Sequence, residues 1–371
     1  MTFENRYGFL DRILHRFAFA TNAGQAALAD VEDLLYSSRL AEIEVSQPVF
    51  VTALPRAGTT VLLNLIAALR EFGSHTYRDM PFLVCPMLWS RFSARFMRSE
   101  APRQRAHGDG LLVSTDSAEA FEEVLWKLFW PRHYRADRIE PWPALDDDQF
   151  RDFLLNHMKK IALLRCSPHA GKRRYLSKNN LNIARVPALA DLMPSASILI
   201  PFRDPFQQAA SMLRQHLRFL EIHASDRFAK AYMAAVGHFD FGANLKPIDF
   251  TGWLDDRRYE DATTPGFWLE YWVAAYRHLL EQHGEERIHF LSYDSLSHRP
   301  AESLARLAET LDVQDSARFC AQADTLQPAK PHDVPTHSIP ADLREEATTL
   351  HARLNAVSIL GSAAPRSRTA A

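Results

Sequence analysis

Pro55-Arg56-Ala57-Gly58-Thr59-Thr60 packs a proline, an arginine, a glycine and two threonines into six consecutive residues. Such a run is equipped to hold an oxyanion. Gly58 lets the backbone approach closely, Thr59 and Thr60 offer hydroxyl donors, and Arg56 brings a fixed positive charge. The flanking residues supply the elements that would aim it. Val49-Phe50-Val51 is a short, β-rich apolar run, the chain turns through Ala53 to Gly58, and Thr59 to about Glu71 reads as an amphipathic helix stopped by Gly73. A strand, a tight loop and a helix start leave backbone N–H groups with no intrahelical partner, at the positive end of the helix dipole. A phosphate or sulfate cradle is therefore expected in preference to a plain strand-to-helix turn. It is not a Walker A loop, which needs Gly, four spacers and Gly-Lys-Ser/Thr. Ala53 stands at the first glycine position and Thr59 at the lysine position.

The totals narrow the class. A chain of 371 residues has room for about two domains, or for one large α/β domain with insertions. A net charge of −2 gives no overall reason to expect nucleic acid or an anionic membrane as partner. Cys85, Cys166 and Cys320 are few, odd in number and far apart, which suits a reducing compartment and a cytoplasmic location. There is no C-x-x-C or H-E-x-x-H motif, so no metal is expected. Glu4 and Asp11 interrupt the N-terminal apolar residues, which makes a poor signal peptide, and no apolar run is long enough to span a bilayer.

Along the chain, residues 1–45 read as helical. They are expected to pack against a sheet or, for the first helix, to lie on a membrane surface. Ser74 to Tyr77 is a candidate second strand. Residues 81–172 form a long, largely helical excursion, with Pro86 to Arg105 aromatic and basic. There Arg91, Arg95 and Arg98 fall at helical spacing, interleaved with Trp89, Phe92 and Phe96. They read either as a solvated arginine face or as a flap for an anionic or lipid-like acceptor. Trp126, Phe129 and Trp130 are candidates for an apolar acceptor pocket or for core. Strand patterns return at Arg174 to Lys178, Ser197 to Phe202 and Ile288 to Ser292, with helices at Asn182 to Leu192, Pro205 to about Glu221, and near Ser225 to Val236, Pro265 to Gln282, Ala301 to Leu311 and Asp342 to Val357. Residues 362–371 form a small, polar tail expected to be disordered. The alternation predicts one α/β domain over 1–371, with a central parallel sheet and helices on both faces.

Three motifs stand in order: Leu54 to Thr60, Ser177-Lys178-Asn179, and Arg203-Asp204-Pro205 with Ser211 eight residues after the arginine. Together they resemble the sulfotransferases that use 3′-phosphoadenosine 5′-phosphosulfate (PAPS). The nearer likeness is to the Pro-Arg-x-Gly-Thr-Thr branch, which includes tyrosylprotein sulfotransferases and bacterial relatives. The resemblance covers about Pro48 to Leu311 and implies a P-loop nucleotide-binding fold. It implies that Arg56, Ala57, Gly58, Thr59 and Thr60 hold the 5′-phosphosulfate and that Arg203 and Ser211 hold the 3′-phosphate. Lys178 would steady charge on the transferring group, and Tyr293 would lie near the nucleotide. Asp79 falls where this branch often places an acidic base, with His75 and His107 as further candidates; Asp79 also fits a helix cap or a partner for Arg78. Three departures stand out. Ala57 replaces the usual serine, Asn179-Asn180 follow the lysine where proline is common, and the Arg-Lys-Gly segment of the cytosolic branch is absent, with Lys330 to Ser338 as its possible substitute. Arg214, three residues past Ser211, faces the same side of its helix.

The implied reaction is in-line sulfuryl transfer from PAPS to a hydroxyl or amine, close in logic to phosphoryl transfer. The acceptor is expected to be a small molecule, glycan or lipid. Two rivals are a P-loop kinase, with Asp204 on Mg²⁺, and a non-catalytic nucleotide-binding relative.

Overall fold

The computed structural model describes residues 9–93, 103–104, 112–113, 116–145, 147–257, 261–282, 284–333 and 336–361. Helices α1 (Phe9–Ala18) and α2 (Asn22–Ala41) precede strand β1 (Val49–Val51). Next come α3 (Thr59–Ala67), β2 (Phe72–Gly73), α4 (Pro86–Ser93), the short strands β3 (Arg103–Gln104) and β4 (Leu112–Val113), α5 (Glu123–Phe129), α6 (Asp148–Arg165) and β5 (Arg174–Lys178). Helix α7 (Val186–Leu192), β6 (Ser197–Phe202), α8 (Pro205–Ser225), α9 (Arg227–Ala235), α10 (Trp253–Asp256), α11 (Pro265–Leu280) and β7 (Ile288–Ser292) follow. The chain closes with α12 (Tyr293–His298), α13 (Pro300–Thr310), α14 (Ser316–Cys320) and α15 (Ala341–Val357).

Five strands form one parallel sheet in the order β2-β5-β1-β6-β7, while β3 and β4 pair antiparallel apart from it. The strands of this sheet are buried along nearly their whole length because both faces are covered. Val49 and Val51 point to one face with Leu176, Leu199 and Leu291, where they meet Leu62, Leu63 and Ile66 of α3 and Leu304 and Leu307 of α13. Phe50, Tyr175, Ile198, Ile200 and Phe290 point to the other, against Trp268, Trp272 and Tyr276 of α11 and Leu154, Met158 and Ile161 of α6. Each such side chain contributes about 1.5–3 kcal/mol by leaving water. From β1 the chain moves to the β2–β5 side of the sheet, and after β5 it crosses to β6 and β7. The crevice beside β1 at the carboxyl ends of the strands is therefore the topological switch point, where open α/β sheets bind ligands.

Several expected boundaries shift. Helix α3 stops at Ala67, where the Ala68 N–H bonds the Asn64 carbonyl at 3.2 Å, before Glu71 is reached. Gly73 belongs to β2. A Cβ there would sit 3.1 Å from the Ile161 carbonyl oxygen and 3.2 Å from Cys166 Sγ, so the close approach of α6 favours a glycine at this point. The second strand is Phe72–Gly73, and of Ser74 to Tyr77 only Thr76 makes a bridge, to Ala118. The helix expected from Asn182 begins as a 3₁₀ turn at Asn180–Arg185 and becomes α-helical only in α7. The N-terminal segment packs on the excursion through α2 and on α9 through α1. Helix α2 meets α5 and α6, and its fully buried Glu32 pairs with Lys160 at 3.2 Å and accepts the Leu88 N–H at 2.6 Å. In α1, His15 packs its ring on Tyr232 of α9 at 5.0 Å. Among the described residues, no helix is long and apolar enough to cross a membrane. The tail at 362–371 lies outside the described residues.

Candidate active site

The loop after β1 is held on three sides. Thr52 N–H bonds the Leu199 carbonyl at 2.9 Å, and its hydroxyl bonds the Asn180 carbonyl at 3.3 Å. Gln208 of α8 is fully buried and donates its amide to the carbonyls of Leu54 (3.3 Å) and Pro55 (3.1 Å). Its oxygen accepts the Trp272 indole N–H at 3.1 Å. One glutamine thus ties the loop to α8 and α11. Within the loop, Arg56 (φ 70°) and Gly58 (φ 96°) both take left-handed backbone. At Gly58 the reason is visible: a Cβ would fall 2.2 Å from Cδ2 of Tyr293. Tyr293 is buried against the loop as the first residue of α12. Burial raises its hydroxyl pKa, against the opposing pull of Arg203 and Arg56. Ala57 is fully buried, Thr59 and Thr60 open α3, and the Thr59 hydroxyl bonds Asn180 Oδ1 at 3.3 Å.

The two expected anion positions are adjacent. Arg56 Nε donates to Ser211 Oγ at 3.1 Å, so the first loop's guanidinium reaches α8. Arg203 follows β6 directly and donates Nη1 to the Arg56 carbonyl at 3.3 Å, with its guanidinium carbon 5.7 Å from the Tyr293 ring centre. Only 7% of Arg203 is exposed, yet its buried Nε has no hydrogen-bond acceptor among the described residues. A buried guanidinium N–H without an acceptor is costly and fits an anion that would supply one. Asp204 caps α8 by accepting the Gln207 N–H at 2.9 Å. Arg214, on the same helix, points its Nη2 at Nε2 of His332, 3.0 Å away.

Lys178 ends β5 beside Val51 of β1 and is buried. The asparagines after it do what a proline turn would otherwise do: Asn179 caps the 3₁₀ turn by accepting the Leu181 N–H at 3.1 Å. Beneath this turn lies a sealed polar network. Arg185 is fully buried between the rings of Trp126 (4.1 Å) and Trp142 (4.8 Å), and it pairs with Glu123. Glu123 also accepts from Asn179 at 2.7 Å, while Glu122 accepts from Asn182 at 2.9 Å and Tyr175 at 3.1 Å. Asn180 then reaches the other way, donating to Asp240 Oδ2 at 3.0 Å. Asp240 is half-buried between Gly237 (φ 84°) and Gly242 (φ 69°). Burial raises its carboxyl pKa, against the pull of Asn180, Lys178 and His238. Sequence reasoning missed Asp240 and Gln208, which no local pattern marks, and named the stretch Lys330 to Ser338 without singling out His332 in it.

Asp79 is brought near β2, but it is shut in. It is 1% exposed and accepts the Thr76 N–H at 2.9 Å as the far member of a capping box. It pairs with Arg165 and faces His75 Nδ1 at 3.2 Å. His75 in turn shares an Nε2···Nε2 hydrogen bond of 2.8 Å with His157, a fully buried ring whose burial, with His75 and Lys160 nearby, pushes its pKa well down. Neither Asp79 nor His75 is open to an acceptor in this arrangement. His107 lies outside the described residues. So do Arg95, Arg98 and Phe96, while Arg91 stacks on Tyr36 of α2 at 5.2 Å. Trp126 is core, and Phe129 and Trp130 pack on Phe150. These aromatics therefore build the excursion and do not line the crevice.

The sequence profile described as the Sulfotransferase family matches residues 48–317. Curated proteins give no match. Among solved structures, sulfotransferase STF9 from Mycobacterium avium aligns with a TM-score of 0.52 at 13% identity, over 94% of this chain and 86% of that one. STF1 from Mycobacterium tuberculosis H37Rv aligns with a TM-score of 0.47 at 14% identity, over 94% and 87%. Mouse sulfotransferase SULT7A1, solved in complex with PAP, aligns with a TM-score of 0.32 at 11% identity, over 83% of each chain. The likeness to STF9 is one of fold, and that fold is the P-loop-like architecture built above. With a family profile spanning most of its length and a parallel sheet that brings the expected loops together, the chain belongs to the sulfotransferase family.

Proposed function

We propose that this protein transfers the sulfuryl group of PAPS to a hydroxyl or amine of a small-molecule, glycan or lipid acceptor, in a reducing compartment such as the cytoplasm. The observation that carries the reading is the junction of Arg56, Ser211 and Arg203, where one buried guanidinium N–H has no acceptor among the described residues. When bound, the nucleotide supplies an activated sulfuryl group. The N–H groups of Ala57 to Thr60 and the positive end of α3 hold the 5′ end, and Arg203 and Ser211 hold the 3′-phosphate, with Arg56 between them. Tyr293 forms the wall against which Gly58 packs. Lys178 counters negative charge as it grows on the departing oxygen; losing such a donor typically costs about 2.7–4 kcal/mol of barrier.

The proton of the acceptor needs a base. Asp79 has the right type, but its oxygens serve Thr76 and Arg165, so in our reading it positions the loop after β2. Asp240 fits the base better. It is half-buried, joined through Asn180 to the Thr59 hydroxyl, and close enough to feel the Lys178 charge. A carboxylate whose pKa is raised is also the stronger proton acceptor.

The kinase alternative needs Asp204 free for Mg²⁺, but its carboxylate caps α8. The test is transfer of label from ³⁵S-PAPS to a panel of phenols, glycans, lipids and peptides with EDTA present, beside titration with adenosine 3′,5′-bisphosphate. Metal-independent label transfer supports the reading. Absence of bisphosphate binding, or phosphoryl transfer from ATP in place of sulfuryl transfer, defeats it. Binding without transfer to any acceptor favours the non-catalytic relative.

A further inference from the structure

The segment after α14 returns to the crevice at one residue. Gln207, near the start of α8, donates its amide to the His332 carbonyl at 3.2 Å and accepts the His332 N–H at 2.6 Å. A single side chain therefore pins this segment by both backbone groups, as a neighbouring strand would. The pinned residue turns its ring toward Arg214, with Nε2 3.0 Å from Nη2. A guanidinium only donates, so this histidine nitrogen accepts and the ring proton sits on Nδ1. Beyond Arg214, the charges of Arg203 at the end of β6 and Arg56 in the loop after β1 also act on the ring and disfavour its protonation.

We propose that His332, strapped to α8 by Gln207, forms the outer wall of the distal anion site and, together with Arg214, reads the 3′-phosphate of the nucleotide. This deepens the function proposed above and rests on it. The arrangement suits an arriving dianion. Arg214 would turn its N–H groups from His332 to the phosphate oxygens, and Nε2 of His332 would take a proton from solvent and donate it as a second charged hydrogen bond. In the protein without nucleotide, burial and the three arginines hold the ring neutral, with its pKa lowered to about 4. The phosphate offsets those charges, so binding carries proton uptake between about pH 4 and the ordinary histidine range near 6.5.

The experiment is calorimetric titration of wild type, His332→Ala, His332→Gln and Gln207→Ala with two probes, adenosine 3′,5′-bisphosphate and 5′-AMP, which lacks the 3′-phosphate. Wild type should prefer the bisphosphate. The His332→Ala and Gln207→Ala variants should lose roughly tenfold in bisphosphate affinity and less than about twofold in 5′-AMP affinity. Lowering the pH from 7 to 5 should strengthen bisphosphate binding to wild type, relative to His332→Gln, by roughly tenfold. The comparison at each pH cancels the phosphate's own titration. Unchanged bisphosphate affinity in the alanine variants, equal loss for both probes, or a pH dependence shared by His332→Gln would overturn the inference. If wild type itself makes no distinction between the probes, the PAPS reading fails first and is recognised as such.

Discussion

Asp79→Asn separates two roles for one carboxylate. In this structure Asp79 caps a 3₁₀ turn and pairs with Arg165 from 1% exposure. Asparagine keeps the shape but cannot serve both donors: whichever way its amide turns, an N–H faces another N–H. Loss of the cap on Thr76 costs about 1 kcal/mol. Leaving a buried ion pair without one partner costs about 3–5 kcal/mol, and the figure falls to about 2 here because Arg165 keeps some water. With its oxygen turned to Thr76 the asparagine keeps the cap and loses only the Arg165 pair, so the net cost is about 2 kcal/mol, a sizeable part of an ordinary folding free energy of about 5–15. For a chain of this size, with a urea dependence near 3 kcal/mol per molar, the unfolding midpoint should drop by about 0.7 M. Urea unfolding of Asp79→Asn, Arg165→Met and the double variant measures it. The double variant should recover part of the loss, since neither buried charge is then stranded. If the Asp79→Asn midpoint stays within about 0.2 M of wild type while sulfuryl transfer collapses, the positioning role is wrong and Asp79 is the base after all.

Three other outcomes follow from the same geometry. Asp240→Asn should keep the hydrogen bond from Asn180 and leave bisphosphate affinity unchanged, yet reduce kcat on any acceptor found by about a hundred- to ten-thousand-fold, with Asp240→Glu restoring part of it. Steady-state kinetics beside calorimetry checks this, and loss of nucleotide affinity in step with kcat would refute it. Gly58→Ala forces a Cβ into the Tyr293 ring at a left-handed φ that costs roughly 1–2 kcal/mol, so nucleotide affinity should fall more than about tenfold; an unchanged titration would mean the loop is not the cradle. Stability should also fall on acidification. His216 and His223 lie buried on α8 and accept the N–H groups of Gly242 and Ala243, each at 3.1 Å, just beyond Asp240. Burial is the first cause in both, and it lowers His216 to about 4. The unfolded chain takes these protons near pH 6.5 and the folded one does not. Stability is therefore full above pH 6.5 and declines as pH falls toward 4, by at most about 1.4 kcal/mol per group per pH unit. Urea midpoints measured from pH 7 to 4.5 should shift less in His216→Gln.

What the sequence discloses follows the range of the forces. Strands β1, β5, β6 and β7 match the expected spans because β1 and β6 are apolar runs that both faces of a parallel sheet must cover, and Tyr175-Leu176 and Phe290-Leu291 give β5 and β7 buried apolar centres. The cradle is legible for a similar reason: a glycine at positive φ and two helix-opening threonines are local demands. Strand β2 is not, since two residues at a sheet edge are placed by the register of Arg174 and Tyr175 and by the approach of α6. The N-terminal helices carry the right period, but their docking is decided by Glu32 meeting Lys160, a pairing no periodicity encodes. The residues that finish the crevice are the least legible. Asp240 is joined to Thr59 through Asn180, and His332 meets Arg214 with its backbone held by Gln207, contacts between residues far apart in the chain.

The asparagines after Lys178 show how this matters for reading relatives. Read locally, Asn179-Asn180 in place of a proline weakens the assignment of the lysine. In the fold these residues add contacts: Asn179 caps the turn, and Asn180 links Thr59 to Asp240 through its two amide ends. A proline offers neither end, so with proline there the link from Thr59 to Asp240 would be missing. Asn180→Ala tests that coupling. It should lower kcat in proportion to Asp240→Asn while leaving the turn, and hence the urea midpoint, within about 1 kcal/mol of wild type. If Asn180→Ala instead unfolds the turn and spares catalysis per folded molecule, Asp240 does not depend on Asn180 for its aim.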